Sequence, residues 1–382
     1  MSQWFLTHLG RRAGYGRNME TLSNRALNRA TLARQMLLER ASLGIVDAVH
    51  VLIGLQGQVS EGPYQALWSR LRGFKHQDLT ALIVDRTLVR ATSLRATLHL
   101  HTVEDLIGLR PHVQPVLDRM WRGAFGRRFG DNDVEAVRKA GARLLDKGPM
   151  TGNALGKALQ AQFPHGEALA KTTLLQVKEI LVQIPPTRLW GSGHAPLLTR
   201  VQQWVPKPHE RPLRADQLVL RYLAAFGPAS VNDMQAWSGV TRLRQVFEAL
   251  EDQIVRFEAE DGRLLHDLPD APRPAPDTSA PVRFLSDYDN VLLGYAKRDR
   301  IVSEVHANRL GTLTRSFRSV LVDGFVAASW SIARQKNGSI LTVRPFGRLA
   351  KRDIREIERE ATAFLEFMDD GPGGEIRILR SD

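Results

Sequence analysis

Apolar residues recur at helical spacing through NRALNRATLARQMLLER, where Leu27, Leu32, Met36 and Leu37 form one stripe and Ser23 is placed to cap the start. Gly44 breaks that pattern. Three more short helices are predicted over IVDAVHVLIGL, PYQALWSRLRG and HQDLTALIVDR. Two β-rich runs then follow, TLVRATS and RATLHL, on either side of Ser93 and Leu94. Short helices followed by a two-stranded ribbon outline a winged helix.

The same order recurs. DVEAVRKAGARLLDKG, TGNALGKALQAQF and ALAKTTLLQVKEILVQI predict three helices, and IPPTRLWG reads as a wing. ADQLVLRYLAAFG, SVNDMQAWSG and TRLRQVFEALED predict three more, with Thr241 as N-cap of the last. IVRFEAEDGRLLHDL then reads as a hairpin turning at Asp261 and Gly262. Units are accordingly expected over residues 19–130, 131–212 and 213–267. The Pro-rich stretch 268–282 reads as a linker. Beyond it, SVLVDGFVAASWSIA and SILTVRPFG alternate as strands, Asn337-Gly338 marks a hairpin turn, RDIREIEREATAFLEFM is an amphipathic helix with Ile354, Ile357, Ala361 and Phe364 on one side, and EIRILR closes as a strand. The fold class is α+β, mainly α: three tandem winged helices and a C-terminal β-rich domain over 283–382. Three such units suit a scaffold that curves around a duplex. Winged helices also serve as protein-interaction modules, so the pattern leaves the partner open.

Composition narrows it. The 382 residues suffice for about two to four compact units. Hydrophobic residues at 43% and charged residues at 25% are those of an ordinary globular chain, and no apolar run reaches the ~18 residues of a membrane span. The first 18 residues are basic without a signal-peptide core, and they read as a disordered leader, with Met19 an alternative start. Cysteine is absent, which excludes disulfides, thiolate metal sites and cysteine nucleophiles and fits a cytoplasmic setting. The net charge of +12, carried mostly by Arg, makes nucleic acid the default partner. The plain alternative is codon usage that puts Arg wherever a surface cation serves.

Candidate chemistry is sparse. The sequence has no H-E-x-x-H, G-x-S-x-G or P-loop pattern, and GRRAGYGRN lacks the strand and helix of a nucleotide loop. His99 and His101 share one face at strand spacing, but no third metal ligand accompanies them. Asp287 and Asp289 are either a carboxylate pair, able to hold Mg²⁺ or exchange protons, or Asx turns ahead of the helix-like VLLGYAKRD. Gln56 and Gln58, one residue apart, are either an inconsequential polar loop or two amides placed to hold something.

A resemblance bears on that choice. LNRATLARQMLLER, GLQGQV…PYQALWSRL, LVRATSLRATLHLHT, LRYLAAFGPASVNDMQAWSGV and FLSDYDNVLLGY stand in the order found in the winged-helix DNA glycosylases of the AlkZ/YcaQ group, which the chain resembles from about Leu22 onward. The resemblance is nearest to the AlkZ branch, which unhooks azinomycin-type interstrand crosslinks as self-resistance. It implies a concave channel for double-stranded DNA, no cofactor or metal, and a catalytic Q-x-Q motif at Gln56 and Gln58. Gly57 departs from the family's usual aliphatic residue. The implied activity is hydrolysis of the glycosidic bond of N7-alkylated purines by a monomeric, monofunctional glycosylase. Two residues at i, i+2 in extended chain point to one side, so both amides can address one water. Candidate DNA contacts are Arg90, Arg95, His99 and His101 around the first ribbon, and Arg334, Lys336 and Arg344 in and beside the later hairpin. The competing readings are a winged-helix transcriptional regulator without catalysis and a nuclease using Asp287 and Asp289 with Mg²⁺.

Overall fold

In the computed structural model, Ser23 caps the first helix as expected, its Oγ accepting from the Ala26 N–H at 3.1 Å, and Leu27, Leu32, Met36 and Leu37 are all buried. The structure describes residues 19–206, 212–303, 306, 317–335 and 338–380. The leader expected over residues 1–18, and Lys336 and Asn337, lie outside the described residues. The first helix covers Asn24–Arg34 and stops well before Gly44, because Met36 turns left-handed at φ 57°. Gly44 instead precedes the helix Ile45–Val51.

Helices at Gly62–Trp68 and His76–Val84 are followed by strands Leu88–Thr92 and Leu98–Thr102, an antiparallel ribbon with Arg90 opposite Leu100 and Ala91 opposite His99. A 27-residue helix, Val103–Phe129, comes next, over a stretch where the local pattern predicts no element. Pro111 and Pro115 each remove a helical hydrogen bond. Burial of Leu106, Leu109, Val113, Val116, Leu117 and Trp121 along one side outweighs that loss. Helices at Val134–Asp146, Gly152–Gln162 and Ala168–Lys178 lead into a second ribbon, Leu181–Ile184 with Leu197–Arg200. The stretch read as a wing, IPPTRLWG, starts on the last residue of the first of these strands and continues into the connection at the ribbon's tip, whereas LVQI, expected at the end of a helix, is that strand. The third set, Ala215–Phe226, Val231–Ser238 and Arg244–Glu248, ends in the hairpin Val255–Ala259/Leu264–Asp267, with Gly262 at φ 77° in the turn. Thr241 does not cap its helix, which begins after Leu243.

The ribbons do not stand alone. One antiparallel sheet runs Leu55–Gln56, Leu98–Thr102, Leu88–Thr92, Leu181–Ile184, Leu197–Arg200, Met150–Thr151, so the first and second ribbons join edge to edge through Arg90↔Gln183 and Ala91↔Val182. Residues 268–282 are irregular but held down. Arg25 and Arg29 of the first helix donate to the Pro276 and Thr278 carbonyls at 2.7 and 2.6 Å. Strands Arg283–Leu285, Ser319–Val322, Phe325–Ala333, Ile340–Pro345 and Glu375–Ile378 then form a five-stranded sheet covered by the helix Lys351–Asp369, which buries Ile357, Ala361, Phe364, Leu365 and Met368.

Two buried ion pairs tie distant parts together. Arg34 meets Asp267 at 2.6 and 2.8 Å, and Arg70 meets Asp289 at 2.9 and 2.7 Å, each through both guanidinium Nη atoms. Both side chains of the second pair are fully enclosed. Removing one partner leaves the other charge buried and unpaired. Arg70→Met is therefore expected to lower unfolding free energy by about 3–5 kcal/mol in urea titration. Arg128→Met, which breaks the solvent-exposed pair with Glu167, should leave it nearly unchanged.

Candidate active site

The segment Gly54–Glu61 is reached by side chains from four separate stretches of chain. Ile53 and Gly54, at φ 56° and 99°, turn the backbone after the helix Ile45–Val51. A Cβ on Gly54 would lie 2.4 Å from the His101 ring, so this position requires glycine. Leu55–Gln56 pairs with the first ribbon, Gln56 opposite His99, and the Gly57 N–H donates to the Leu98 carbonyl at 2.7 Å. There the strand ends. The chain bends through Gln58–Ser60 and enters the helix Gly62–Trp68, with Pro63 in its first turn, where its missing N–H costs nothing.

Side chains then fix the bend. Arg90 donates from Nη1 to the Gly57 carbonyl and from Nη2 to the Ser60 carbonyl, both at 3.1 Å. Arg188, from the tip of the second ribbon, reaches Ser60 Oγ at 3.2 Å. Arg334, from the C-terminal hairpin, pairs with Glu61. Asn290 donates to the Gly54 carbonyl at 3.0 Å. Within this frame the two glutamines differ. Gln56 is 7% exposed; its Nε2 donates to Thr97 Oγ1 at 3.2 Å and its Oε1 accepts from the Gly57 N–H at 3.2 Å. Gln58 is exposed, and its amide makes no hydrogen bond among the described residues.

Burial shapes the electrostatics behind the bend. It lowers the Arg90 guanidinium to about 10, with the neighbouring Arg188 adding to the effect. It lowers His101 to about 4 and holds His99 well below the usual range. Both imidazoles are therefore neutral near pH 7. His101 Nε2 lies 2.7 Å from Ser93 Oγ, His99 Nδ1 lies 3.1 Å from the Thr97 carbonyl, and the rings stack at 5.6 Å. Glu61, the carboxylate of the segment, is engaged by Arg334. The segment thus offers an exposed amide on a rigid backbone, suited to orient a water or sugar oxygen, and no free acid.

A family described as DNA glycosylase AlkZ-like matches residues 49–367. The chain belongs to this family. It is 24% identical over 353 residues to the interstrand DNA cross-link repair glycosylase of Streptomyces sahachiroi, covering 86% of this chain and 92% of that protein. Its fold matches the solved Streptomyces sahachiroi DNA glycosylase AlkZ with a TM-score of 0.78 at 20% identity, over 94% of this chain and all of the other.

For this AlkZ-like chain, several sequence expectations change. The extended i, i+2 geometry does not hold, since the strand ends at Gln56 and leaves Gln58 in the bend. Arg90, His99 and His101, expected to face DNA, are 2%, 2% and 0% exposed and support the bend from behind. Arg95 sits at φ 53° in the first ribbon's connection and donates to the Trp237 carbonyl, joining that ribbon to the third helical set. Arg334 and Arg344 are exposed. Asp287 and Asp289 are not a free carboxylate pair. The first pairs with Arg318 at 2.6 Å, and the second with Arg70 while capping the short helix Asn290–Leu293. Among the described residues, no group of three or more His, Asp or Glu is placed to hold a metal ion. Sequence reasoning missed Thr97, Arg188 and Asn290, whose distance along the chain from Gln56 left no local signal.

The two glycines give a paired test. Gly54→Ala should cost roughly 2 kcal/mol or more, because a left-handed backbone and the His101 ring both oppose the methyl. Gly57 is not left-handed, and an added Cβ would sit 3.4 Å from Arg90 Cγ, an ordinary contact. Gly57→Ala should therefore fold with melting temperature at or above wild type. A second test concerns pH. The folded chain keeps His101 neutral down to about 4, whereas the unfolded chain protonates near 6.5, so this contribution is full above 6.5 and is lost as pH falls toward 4. Urea midpoints should decline across that window, and His101→Gln should flatten the decline.

Proposed function

We propose that this chain is a monofunctional, monomeric DNA glycosylase that hydrolyses the N-glycosidic bond of N7-alkylated purines and unhooks interstrand crosslinks made by an alkylating natural product, as a self-resistance factor. The observation that carries the reading is the clamped Gly54–Glu61 segment presenting the unpartnered Gln58 amide beside the fixed Gln56. The cross-link repair for which the Streptomyces sahachiroi relative is named supports the substrate class.

The chemistry suits an amide. An N7-alkylated purine carries positive charge, so the C1′–N9 bond breaks with its electron pair going to a base that leaves neutral. No acid is needed. An oxocarbenium-like C1′ remains, and water adds to it, releasing a proton to solvent and leaving an abasic sugar. The demand on the protein is an oriented water rather than a strong base. Gln58 Oε1 accepts from that water. Gln56, held by Thr97 and the Gly57 N–H, sets the backbone that aims it. The segment contains no lysine, which matches hydrolysis without a Schiff base. The three helix-and-ribbon sets act as winged helices lining a duplex channel, and the hairpin carrying Arg334 enters a groove beside the lesion. A base tied to the opposite strand cannot be fully extruded, so the bend reaches a crosslinked lesion in place. A sequence-reading regulator has no use for an exposed amide on a rigid bend, and the ion pairs of Asp287 and Asp289 leave a two-carboxylate nuclease without its ligands.

Single-turnover release of 7-methylguanine from a duplex tests this. Gln58→Ala should slow release by about 10²–10³-fold, as does removal of one preorganised polar group elsewhere, with duplex binding retained. Gln56→Ala should slow release as well and also cost about 1 kcal/mol of stability from its buried hydrogen bonds. Wild-type rates in both variants would remove the assignment.

A further inference from the structure

Arg188 stands out among the cations near the bend. It lies in the connection between strands Leu181–Ile184 and Leu197–Arg200, at φ 60°, a left-handed conformation rare for a long side chain. The connection is firmly held. The Trp190 N–H donates to Tyr64 Oη at 3.3 Å, and the Trp190 ring stacks on His76 at 4.9 Å and 8°. Thr187 Oγ1 donates to the Ile184 carbonyl at 2.6 Å. Strain held in place this way is a feature of functional sites.

The guanidinium is under-used. A guanidinium has five N–H donors, and among the described residues that of Arg188 makes one hydrogen bond, to Ser60 Oγ, and its buried Nε has no partner. No carboxylate pairs with it among the described residues. Arg90, close enough to disfavour a second charge, is likewise without a carboxylate, and Glu61 is engaged by Arg334. Two guanidinium groups therefore converge on Gly57–Ser60 with no counter-ion, next to the exposed Gln58. Arg90 is buried and satisfied by two carbonyls, which leaves Arg188 as the group with spare donors for an arriving anion.

We propose that Arg188 is a phosphate-positioning residue, binding one backbone phosphate of the strand whose nucleotide faces Gln58. The inference rests on the glycosylase reading above. One phosphate gripped here sets the height of C1′ over the Gln58 amide and leaves the base itself unread, in keeping with a lesion attacked in place.

Binding of a duplex with a non-cleavable abasic analogue, measured over a series of salt concentrations, reads the contact without turnover. Arg188→Gln should reduce the slope of log affinity against log salt by about 0.9, the share of one phosphate, and weaken binding by roughly tenfold. Arg188→Lys, which keeps the charge, should retain the slope. Single methylphosphonate substitutions near the lesion should reveal one position where wild type loses affinity and Arg188→Gln loses nothing further. An unchanged slope, or additive losses at every position, overturns the proposal. If Arg188→Gln melts well below wild type, the scan on wild type decides, and a profile flat across all phosphates overturns it. Wild-type base release measured alongside separates the two claims: binding without release defeats the glycosylase reading and leaves the slope test standing.

Discussion

A buried guanidinium must find acceptors, and Arg90 finds them in the Gly57 and Ser60 carbonyls. Enclosing that charge costs several kcal/mol, and each charge-assisted hydrogen bond returns about 1.5–3 kcal/mol. The bond pair is possible only if the chain stops being a strand after Gln56 and folds back toward Arg90. That bend turns Gln58 outward, brings Ser60 under Arg188 and sets Glu61 before Arg334. The exposure of one glutamine and the enclosure of the other both follow from it.

The bend belongs to no single part of the chain. The first ribbon supplies Arg90 and Thr97, the second ribbon's tip supplies Arg188, and the C-terminal region supplies Asn290 and Arg334. The sheet that joins the two ribbons holds Gln183 opposite Arg90, and the Arg70–Asp289 pair holds Asn290 against Gly54. A backbone fixed from several directions can present an amide with little reorganisation, which is what water orientation demands.

Much of the architecture was legible from local pattern. The Ser23 cap, the first ribbon, the Asp261-Gly262 turn and the amphipathic C-terminal helix follow from short-range periodicity and turn chemistry, whereas the second ribbon does not, since the apolar run that forms its strand Leu181–Ile184 continues a helical pattern. What escaped was decided by burial. Met36 ends its helix early, and Pro111 and Pro115 sit inside a helix whose apolar side is enclosed. The charge count is likewise only partly a surface property. Arg29, Arg34, Arg70, Arg90 and Arg300 are interior residues, so part of the +12 that pointed to nucleic acid is structural cement. Strand alternation would set Gln56 and Gln58 on one side, but the strand ends at Gln56 and the bend separates the two side chains.

The central claim is hydrolysis at a clamped, acid-free amide site. Product analysis of a duplex bearing a single N7-methylguanine tests it most directly. The account predicts free 7-methylguanine in equal amount to an unbroken strand carrying an abasic site, with no borohydride-trapped protein–DNA adduct and no effect of EDTA. Tight binding without base release, a trapped covalent adduct, or EDTA-sensitive strand breaks would contradict it.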